Sequence, residues 1–189
     1  MTTGADQNLA TAVAALHAGG VVAYPTEAVW GLGCDPHHER AFTRLFALKQ
    51  RSPSQGVLLI AAAFDQLAPY IDLAATPPGS LARAQASWPG PHTWIFPRAP
   101  GVPAWIAGAH AGIALRVTAH APAAALCRAF GGALVSTSAN RHGELPARTA
   151  DAVRATFGAE IDAILNGTTG GLEQPTPIRD AISGGTLRS

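Results

Sequence analysis

Three cationic side chains stand at positions where the binding of an anion would explain their surroundings. Lys49 and Arg51 come directly before a segment rich in serine, proline and glycine at 52–56. Arg116 lies within an apolar run, where it requires a partner or a cavity because unpaired burial of a cation is costly. Arginine can hold a phosphate or carboxylate through two parallel hydrogen bonds. For Lys49 and Arg51 one alternative is open, namely that they complement the dipole at a helix C-terminus.

A row of small polar side chains follows a strand that the apolar run at 133–135 predicts. Segment 136–140 has the sequence STSAN. Its hydroxyl and amide groups can hydrogen-bond phosphate, ribose or carboxylate, and their small size leaves room for a ligand. The alternative is a turn, in which serine, threonine and asparagine are common. These residues alone leave both interpretations open.

The segment YPTEAVWGLGCD at 24–35 has a comparable arrangement. Pro25 ends the buried strand predicted at 21–24, because proline has no N–H to donate to a β-ladder. Thr26 then lies at a strand end, which is where ligands bind in open α/β sheets. Gly31 and Gly33, which follow Trp30, favour a loop that turns sharply or approaches a ligand closely. The alternative is a plain strand-to-loop transition with the tryptophan in the core.

Length and charge favour one soluble, cytoplasmic domain. The chain has 189 residues, which is enough for a single hydrophobic core, and we expect 1–189 to form one domain. The formal net charge is +1, so the composition does not indicate a strongly basic surface for nucleic acid. The N-terminus lacks the pattern of a signal peptide, and no apolar run approaches the ~20 residues of a membrane span. We therefore expect no membrane association.

The commonest metal and nucleotide motifs do not occur in the sequence. None of the seven histidines belongs to an HExxH or cysteine-rich zinc pattern, so we expect no metal site. Neither GxxxxGK[ST] nor GxGxxG is present, so any nucleotide is bound without these phosphate loops. Cys34 and Cys127 are expected to be free thiols, because two cysteines do not make a disulfide-rich secreted framework.

Apolar periodicity and turn residues predict alternating strands and helices, and therefore an α/β fold. Helices are predicted at 6–17, 39–49, 64–70, 79–87, 122–130 and 149–157. Strands are predicted at 21–24, 57–62, 93–96, 113–118, 133–135 and 161–165. The stretch 98–112 is predicted to be a loop, and no strand is predicted after residue 165.

Six segments together resemble the YrdC-like family of threonylcarbamoyl-adenylate synthases. They are YPTEAVWGLGCD at 24–35, KQR at 49–51, WPGPHTWIFP at 88–97, ALRVT at 114–118, STSAN at 136–140 and PTPIRD at 175–180. The segments follow the family's order, the resemblance extends over nearly the whole chain, and the length of the chain matches the short bacterial form. The resemblance implies a single-domain, twisted open mixed α/β sheet with flanking helices around a positively charged central cavity.

The resemblance also implies an ATP-dependent nucleotidyltransferase. Such enzymes combine L-threonine, bicarbonate and ATP into threonylcarbamoyl-AMP and release pyrophosphate. A separate transferase complex then moves the threonylcarbamoyl group to the adenosine next to the anticodon of tRNAs that read codons beginning with A. ATP would be a substrate, used with Mg²⁺, and we expect no tightly bound cofactor. A monomer is expected, with weak binding of tRNA or double-stranded RNA as a further possibility.

Site residues follow from the positions that match the family's motifs. Lys49 and Arg51 match its K-x-R pair and are the expected catalytic residues, facing the threonine carboxylate and the phosphates. The expected threonine- and ATP-binding residues are Thr26, Lys49, Arg51, Thr93, Arg116, Ser136, Ser138, Asn140 and Thr176. Trp30 is a mild departure, because tyrosine is common there in the family. Roles remain open for Gln55, Cys34, His92 and Arg188.

Two alternatives belong to other functional classes. The first is an RNA-binding module without synthase activity, in which the cations would hold a phosphate backbone. The near-neutral net charge and the lack of an RNA-module motif argue against it. The second is carbamoyl-adenylate chemistry, as in hydrogenase maturation. That domain normally lies inside a much longer chain with zinc-finger and acylphosphatase-like parts, which do not occur here.

Overall fold

One mixed β-sheet organises the computed structural model, which describes residues 4–188. Within those residues the strands are β1 (Val22–Pro25), β2 (Trp30–Gly33), β3 (Leu58–Ala61), β4 (Thr93–Pro97), β5 (Gly112–Val117), β6 (Leu134–Ser138), β7 (Ala163–Ile164), β8 (Ile178–Asp180) and β9 (Thr186–Arg188). The helices are α1 (Gly4–His17), α2 (Glu39–Lys49), α3 (Ser80–Gln85), α4 (Ala104–Ala107), α5 (Ala121–Phe130) and α6 (Ala150–Phe157). The implied mixed α/β sheet with flanking helices is confirmed.

The strand order is β7-β1-β2-β6-β3-β5-β4-β8-β9. β1 and β7, β3 and β5, and β4 and β8 are parallel pairs, whereas the other neighbours are antiparallel. This order places β6, with its hydroxyl row, between β2 and β3 at the centre of the sheet. The polar segments that are far apart in the chain are thereby brought side by side.

Helices cover both faces of the sheet because its strands are apolar on both sides. Along β1, Val22 belongs to a core cluster with α1 and α5, whereas Ala23 belongs to the larger cluster that contains α2. Ile60 and Leu59 on β3 are divided between the clusters in the same way. Successive side chains of a strand point to opposite faces, so these runs bury residues on both. Fully burying one such side chain contributes ~1.5–3 kcal/mol.

Residues 30–33 form a strand after the short connection at 26–29, so the prediction of a loop at Gly31 and Gly33 was wrong. β2 pairs antiparallel with β1 from Val22 opposite Gly33 to Pro25 opposite Trp30. Gly33 serves close packing instead of a turn: a Cβ there would lie 2.2 Å from the carbonyl oxygen of Val135 on β6. Trp30 is fully buried in the core, as one of the alternatives held.

Three further elements were not predicted. The stretch 98–112 contains α4, which ends at Gly108 with a φ of 61°, a conformation that favours glycine. β8 and β9 follow residue 165, and β8 is stabilised by pairing with β4, in which Ile178 lies opposite Thr93. Strands of three residues carry too little periodicity to be recognised, because the pairing that stabilises them involves distant parts of the chain.

α1, α2, α3, α5 and α6 agree closely with their predicted ranges. The single helix predicted at 64–70 was wrong, because that segment forms two 3₁₀ helices, Phe64–Gln66 and Ala68–Tyr70, and Pro69 has no N–H to continue one helix through it. α2 has the predicted bounds, and Gln50 ends it with a left-handed backbone conformation at φ 51°. Thr149 is the N-cap of α6, as predicted, and its hydroxyl oxygen accepts a hydrogen bond from the Ala152 N–H. Such caps contribute ~1 kcal/mol by satisfying a backbone donor of the first turn.

Candidate active site

A cavity of about 610 Å³ lies against one face of the sheet. The strand register explains its wall, because residues directly opposite one another on neighbouring strands share a face. Ser136 lies opposite Leu58, which lies opposite Ala114 on its other side. Ala114 in turn lies opposite Ile95. All four line the cavity, which has the size usual for sites that bind small molecules.

Seven of the nine predicted site residues line this cavity. They are Thr26, Arg51, Thr93, Arg116, Ser136, Ser138 and Thr176. Lys49 and Asn140 are not part of the lining. The residues come from five strands or their ends and from the loop after α2, so only the folded chain brings them together. Their roles toward substrates stay predictions.

Lys49 supports the cavity wall from behind. Its ammonium donates hydrogen bonds to the carbonyl oxygens of Ser138 and, at 2.8 Å, Asn140. Its own carbonyl accepts from the N–H of His142 at 2.8 Å. The side chain is 5% exposed. Burial and the nearby Arg51 lower the pKa of Lys49 to about 8. Lys49 therefore fixes the turn that follows β6, and its ammonium group loses its proton more readily than that of an ordinary lysine.

The lowered pKa predicts a pH-dependent contribution from Lys49. The unfolded chain retains its proton up to an ordinary lysine pKa near 10.5, so protonation costs folded stability below about pH 8. This cost is relieved as the pH rises from about 8 toward 10.5. If the positive charge is needed for turnover, activity should fall above about pH 8, where the ammonium is lost.

The matching variant is Lys49→Arg, since an arginine stays charged throughout this range. We expect the ratio of wild-type to variant kcat/KM, measured across about pH 7 to 9.5, to decline on the alkaline side. The ratio cancels the titrations of the substrates, which both enzymes share. A ratio that does not change with pH would contradict a role for the Lys49 charge.

Arg51 reaches into the cavity from the end of α2. Its Nε donates to Gln55 Oε1 at 2.7 Å, its Nη2 to the Gly56 carbonyl at 2.9 Å and its Nη1 to Thr137 Oγ1 at 3.2 Å. The guanidinium also lies over the Phe46 ring, 5.6 Å from the centroid. Burial and the nearby Arg188 lower the pKa of Arg51. Two cations so placed repel each other, and an anion between them would relieve the repulsion.

Lys49 lies in the last turn of α2, as the helix-dipole alternative holds, but the hydrogen bonds of both cations go elsewhere. The hydrogen bonds of the Lys49 ammonium go to the turn after β6, and those of the Arg51 guanidinium go to the loop after α2 and to Thr137. Neither side chain bonds a carbonyl of its own helix. Their positions reflect tertiary contacts around the cavity.

Arg116 has partners for both terminal nitrogens, whereas its buried Nε has no hydrogen-bond partner among residues 4–188. Its Nη1 donates to Thr176 Oγ1 at 2.6 Å, and its Nη2 lies 3.5 Å from Glu27 Oε2. The other oxygen of Glu27 accepts a hydrogen bond from Thr118 Oγ1 at 2.6 Å. Arg116 is 3% exposed and Glu27 is 6% exposed. Arg116 thus lines the cavity, and the carboxylate of Glu27, which is outside the lining, partly neutralises its charge.

The ionisable side chains of the cavity lining are cationic or can become so. They are Arg51, His110, Arg116 and Arg188. The lining contains no aspartate or glutamate within residues 4–188. Thr93 Oγ1 is buried without a hydrogen-bond partner in this same range, so it is free to bond a ligand. The arrangement can bind and polarise an anionic substrate.

Several lining residues were missed or left open by sequence reasoning. Arg188 lies on β9, a strand that was not predicted, and its Nη2 is 3.5 Å from the carbonyl oxygen of Thr176. Gln55 orients Arg51 as described above, although a glutamine in a polar turn gives no signal of such a role. Gly56 adopts a φ of +60°, and a Cβ there would lie 2.5 Å from the Ala107 carbonyl oxygen. This glycine lets the Arg51 loop pack against α4.

Other candidate groups are chemically inert or absent. Cys34 and Cys127 are free and buried, as predicted, and burial raises the pKa of each thiol to about 12. Neither is a nucleophile at neutral pH, because the thiolate is the reactive form.

Among the residues described, no three His, Cys, Asp or Glu side chains are grouped so as to hold a metal ion. No helix in 4–188 has the length and apolar character to cross a bilayer.

The fold and the cavity define a class: a mixed α/β protein with an arginine-lined cavity suited to anionic substrates. A family model for Sua5, YciO and YrdC proteins, described as "Telomere recombination", matches residues 14–188. The chain therefore belongs to the Sua5/YciO/YrdC family.

Curated relatives match over nearly their full length. Threonylcarbamoyl-AMP synthase of Stenotrophomonas maltophilia (strain K279a) is 54% identical over 184 residues, which cover 97% of this chain and 99% of the relative. Threonylcarbamoyl-AMP synthase of Halorhodospira halophila (strain DSM 244 / SL1) is 58% identical over 177 residues, which cover 94% and 92%. The resemblance to this group of synthases is confirmed.

Solved structures support the same family. Sua5 of P. abyssi in complex with L-threonine is similar with a TM-score of 0.85 and 29% identity. The match covers 91% of this chain but only about half, 50%, of the Sua5 chain. E. coli YciO, at a TM-score of 0.78 and 22% identity, shows the fold alone. HypF of T. kodakarensis, at 15% identity, also shares only the fold, and the match covers 24% of its chain.

Proposed function

We propose that this protein is a threonylcarbamoyl-AMP synthase. The observation that carries the proposal is the 54% identity, end to end, with a relative of that name. The cavity supports the proposal independently, because its cations suit the two reactants of the adenylation step, the threonine carbamate and ATP, which are both anionic. L-Threonine is a substrate by analogy with the Sua5 structure that binds it. The hydrogenase-maturation alternative has only a shared fold at 15% identity in its favour.

The reaction proceeds in two steps. The amine of L-threonine combines with bicarbonate to give a carbamate and water. A carbamate oxygen then attacks the α-phosphorus of ATP, forming the new P–O bond as the bond to pyrophosphate breaks. The carbamate supplies the nucleophile, so no side chain needs to form a covalent intermediate. The protein contributes positioning and electrostatic stabilisation, which usually dominate phosphoryl-group chemistry.

The three cavity arginines supply the positive charge for this reaction. Arg51 and Arg188 both line the cavity, close enough for Arg188 to lower the pKa of Arg51, and they are suited to bind the phosphates of ATP, which enters with Mg²⁺ as part of the substrate. Arg116 and Thr176 lie together and are suited to bind the threonine carboxylate. Two opposite unit charges ~4 Å apart attract by ~4 kcal/mol at an effective dielectric near 20. Lys49 keeps the turn at Ser138 and Asn140 in place.

The product is a mixed anhydride, which water hydrolyses readily. A separate tRNA threonylcarbamoyl-transferase complex would consume it, placing the threonylcarbamoyl group on the adenosine next to the anticodon. Enclosing the intermediate protects it until release. Segment 166–174 is suited to contribute, because the Gly170 N–H donates to the Thr26 carbonyl at 3.0 Å and the Leu172 N–H donates to the Glu27 carbonyl at 3.1 Å.

The test is a pyrophosphate-release assay with the purified protein, ATP, Mg²⁺ and bicarbonate, with and without L-threonine. We expect release only when threonine and bicarbonate are both present, because the carbamate is the nucleophile. Serine in place of threonine then measures side-chain selectivity. Release without threonine would indicate simple ATP hydrolysis. Absence of release under every condition, together with RNA binding that weakens steeply with salt, would support the RNA-binding alternative.

A further inference from the structure

Glu27 is a buried carboxylate beside a cavity that is suited to anions, and this placement calls for an explanation. The residue is 6% exposed and is not part of the cavity lining. Its carboxylate competes with any anionic substrate for the charge of Arg116. If the site served only to concentrate positive charge, it would bind anions more tightly without the Glu27 carboxylate. The structure shows two connections through which Glu27 can act.

The first connection passes through its side chain to Arg116. Oε1 accepts the hydrogen bond from Thr118 Oγ1 at 2.6 Å, which orients the carboxylate. Oε2 lies 3.5 Å from Arg116 Nη2, and it has no hydrogen-bond partner among the residues described. At this distance the contact is an ion pair without a hydrogen bond. Nη2 therefore keeps its hydrogens for an acceptor on the substrate, while the attraction of the Glu27 carboxylate favours its present position.

The second connection passes through its main chain to segment 166–174. The Glu27 carbonyl accepts from the Leu172 N–H at 3.1 Å. A Cβ at Gly170 would lie 3.0 Å from that carbonyl oxygen and 3.1 Å from the Glu27 Cα, so glycine allows the segment to lie flat on Glu27. Arg148 holds the far end of the segment, donating to the Glu173 carbonyl at 2.6 Å.

We propose that Glu27 is a positioning residue, which orients Arg116 for the threonine carboxylate and ties this orientation to segment 166–174. It does not contact substrate. The contacts run in series: the Thr118 hydroxyl bonds the Glu27 carboxylate, and that carboxylate pairs with Arg116. This proposal rests on the proposed synthase function, since it concerns one substrate of that reaction.

The central variant is Glu27→Gln, which keeps the shape and an acceptor for Thr118 but removes the charge. Loss of a competing carboxylate alone would strengthen binding of an anion to Arg116. Loss of orientation would weaken it. The sign of the change in the KM for threonine therefore separates the two roles. We expect this KM to rise by about tenfold or more, with the KM for ATP changed by less than about twofold.

Matched variants keep the result interpretable. Glu39→Gln makes the same substitution on the exposed first turn of α2 and should leave both KM values unchanged. Thr118→Val removes the hydroxyl without altering any charge, and should raise the KM for threonine in the same direction but less. Thr118→Ser, which keeps the hydroxyl, should restore most of that loss. A melting temperature is recorded for each variant to show that it folds.

The outcomes divide clearly. A KM for threonine that is unchanged or lower in Glu27→Gln overturns the proposal, as does an equal rise in both KM values, which would indicate a general structural effect. A rise confined to ATP overturns it as well. Failure of the synthase function is a separate result, because the wild-type protein would then release no pyrophosphate at all, whereas the proposal about Glu27 fails only when the wild type is active.

Discussion

Replacing Arg116 with alanine is expected to reduce both the stability and the activity of the protein more than any other single change considered. The substitution leaves Glu27 buried with no cation beside it, and breaking a buried ion pair in this way typically costs about 3–5 kcal/mol. It also removes the guanidinium proposed to bind the threonine carboxylate. We expect pyrophosphate release to fall at least about a hundredfold, equivalent to ~2.7 kcal/mol of barrier.

A double variant separates the two effects. Glu27→Gln combined with Arg116→Met removes both charges, and neutral replacement of a buried pair is often harmless to folding. We expect chemical denaturation to show recovered stability, with activity still lost. Arg154→Ala is the control for the loss of an ion pair. Its pair with Asp151 is on the surface, where 54% and 92% of the two side chains are exposed. Exposed pairs contribute little to the free energy of unfolding. Near-normal activity in Arg116→Ala would contradict the assignment.

Replacing Arg51 with alanine should cut pyrophosphate release by at least about tenfold, or ~1.4 kcal/mol of barrier. The guanidinium lines the same cavity as Arg188. Its hydrogen bonds to Gln55, Gly56 and Thr137 hold it in a fixed direction. Arg51→Lys keeps the charge but loses the planar fork that grips phosphate through two hydrogen bonds, so it should be intermediate. We expect the KM for ATP to carry part of the loss.

Arg40→Ala is the matched control for this series. Arg40 lies in α2, the helix that precedes Arg51, but it is exposed and outside the cavity lining. Its removal therefore changes the net charge by the same amount without touching the site. Initial rates of pyrophosphate release for the three variants and the wild type provide the comparison. Equal activity of Arg51→Ala and Arg40→Ala would remove Arg51 from the mechanism and leave only a general charge effect.

Much of the architecture could be predicted from local patterns. The bounds of α2 follow from its apolar face and the polar segment after it, and Thr149 was recognised as the cap of α6. Both depend on residues within a few positions of each other. The strand at Trp30–Gly33 could not be recognised in this way, because Gly33 is explained by close contact with β6, about one hundred positions later in the chain.

The candidate site divides along the same line. Motifs alone were enough to identify the residue types, their order and the family, and seven of the nine predicted residues line one cavity. The folded chain was needed to show that the Lys49 ammonium bonds two carbonyls behind that cavity and that Arg116 pairs with Glu27. Motif spacing constrains what lies nearby along the chain. The direction of a buried charge depends on partners that strand pairing brings from distant segments.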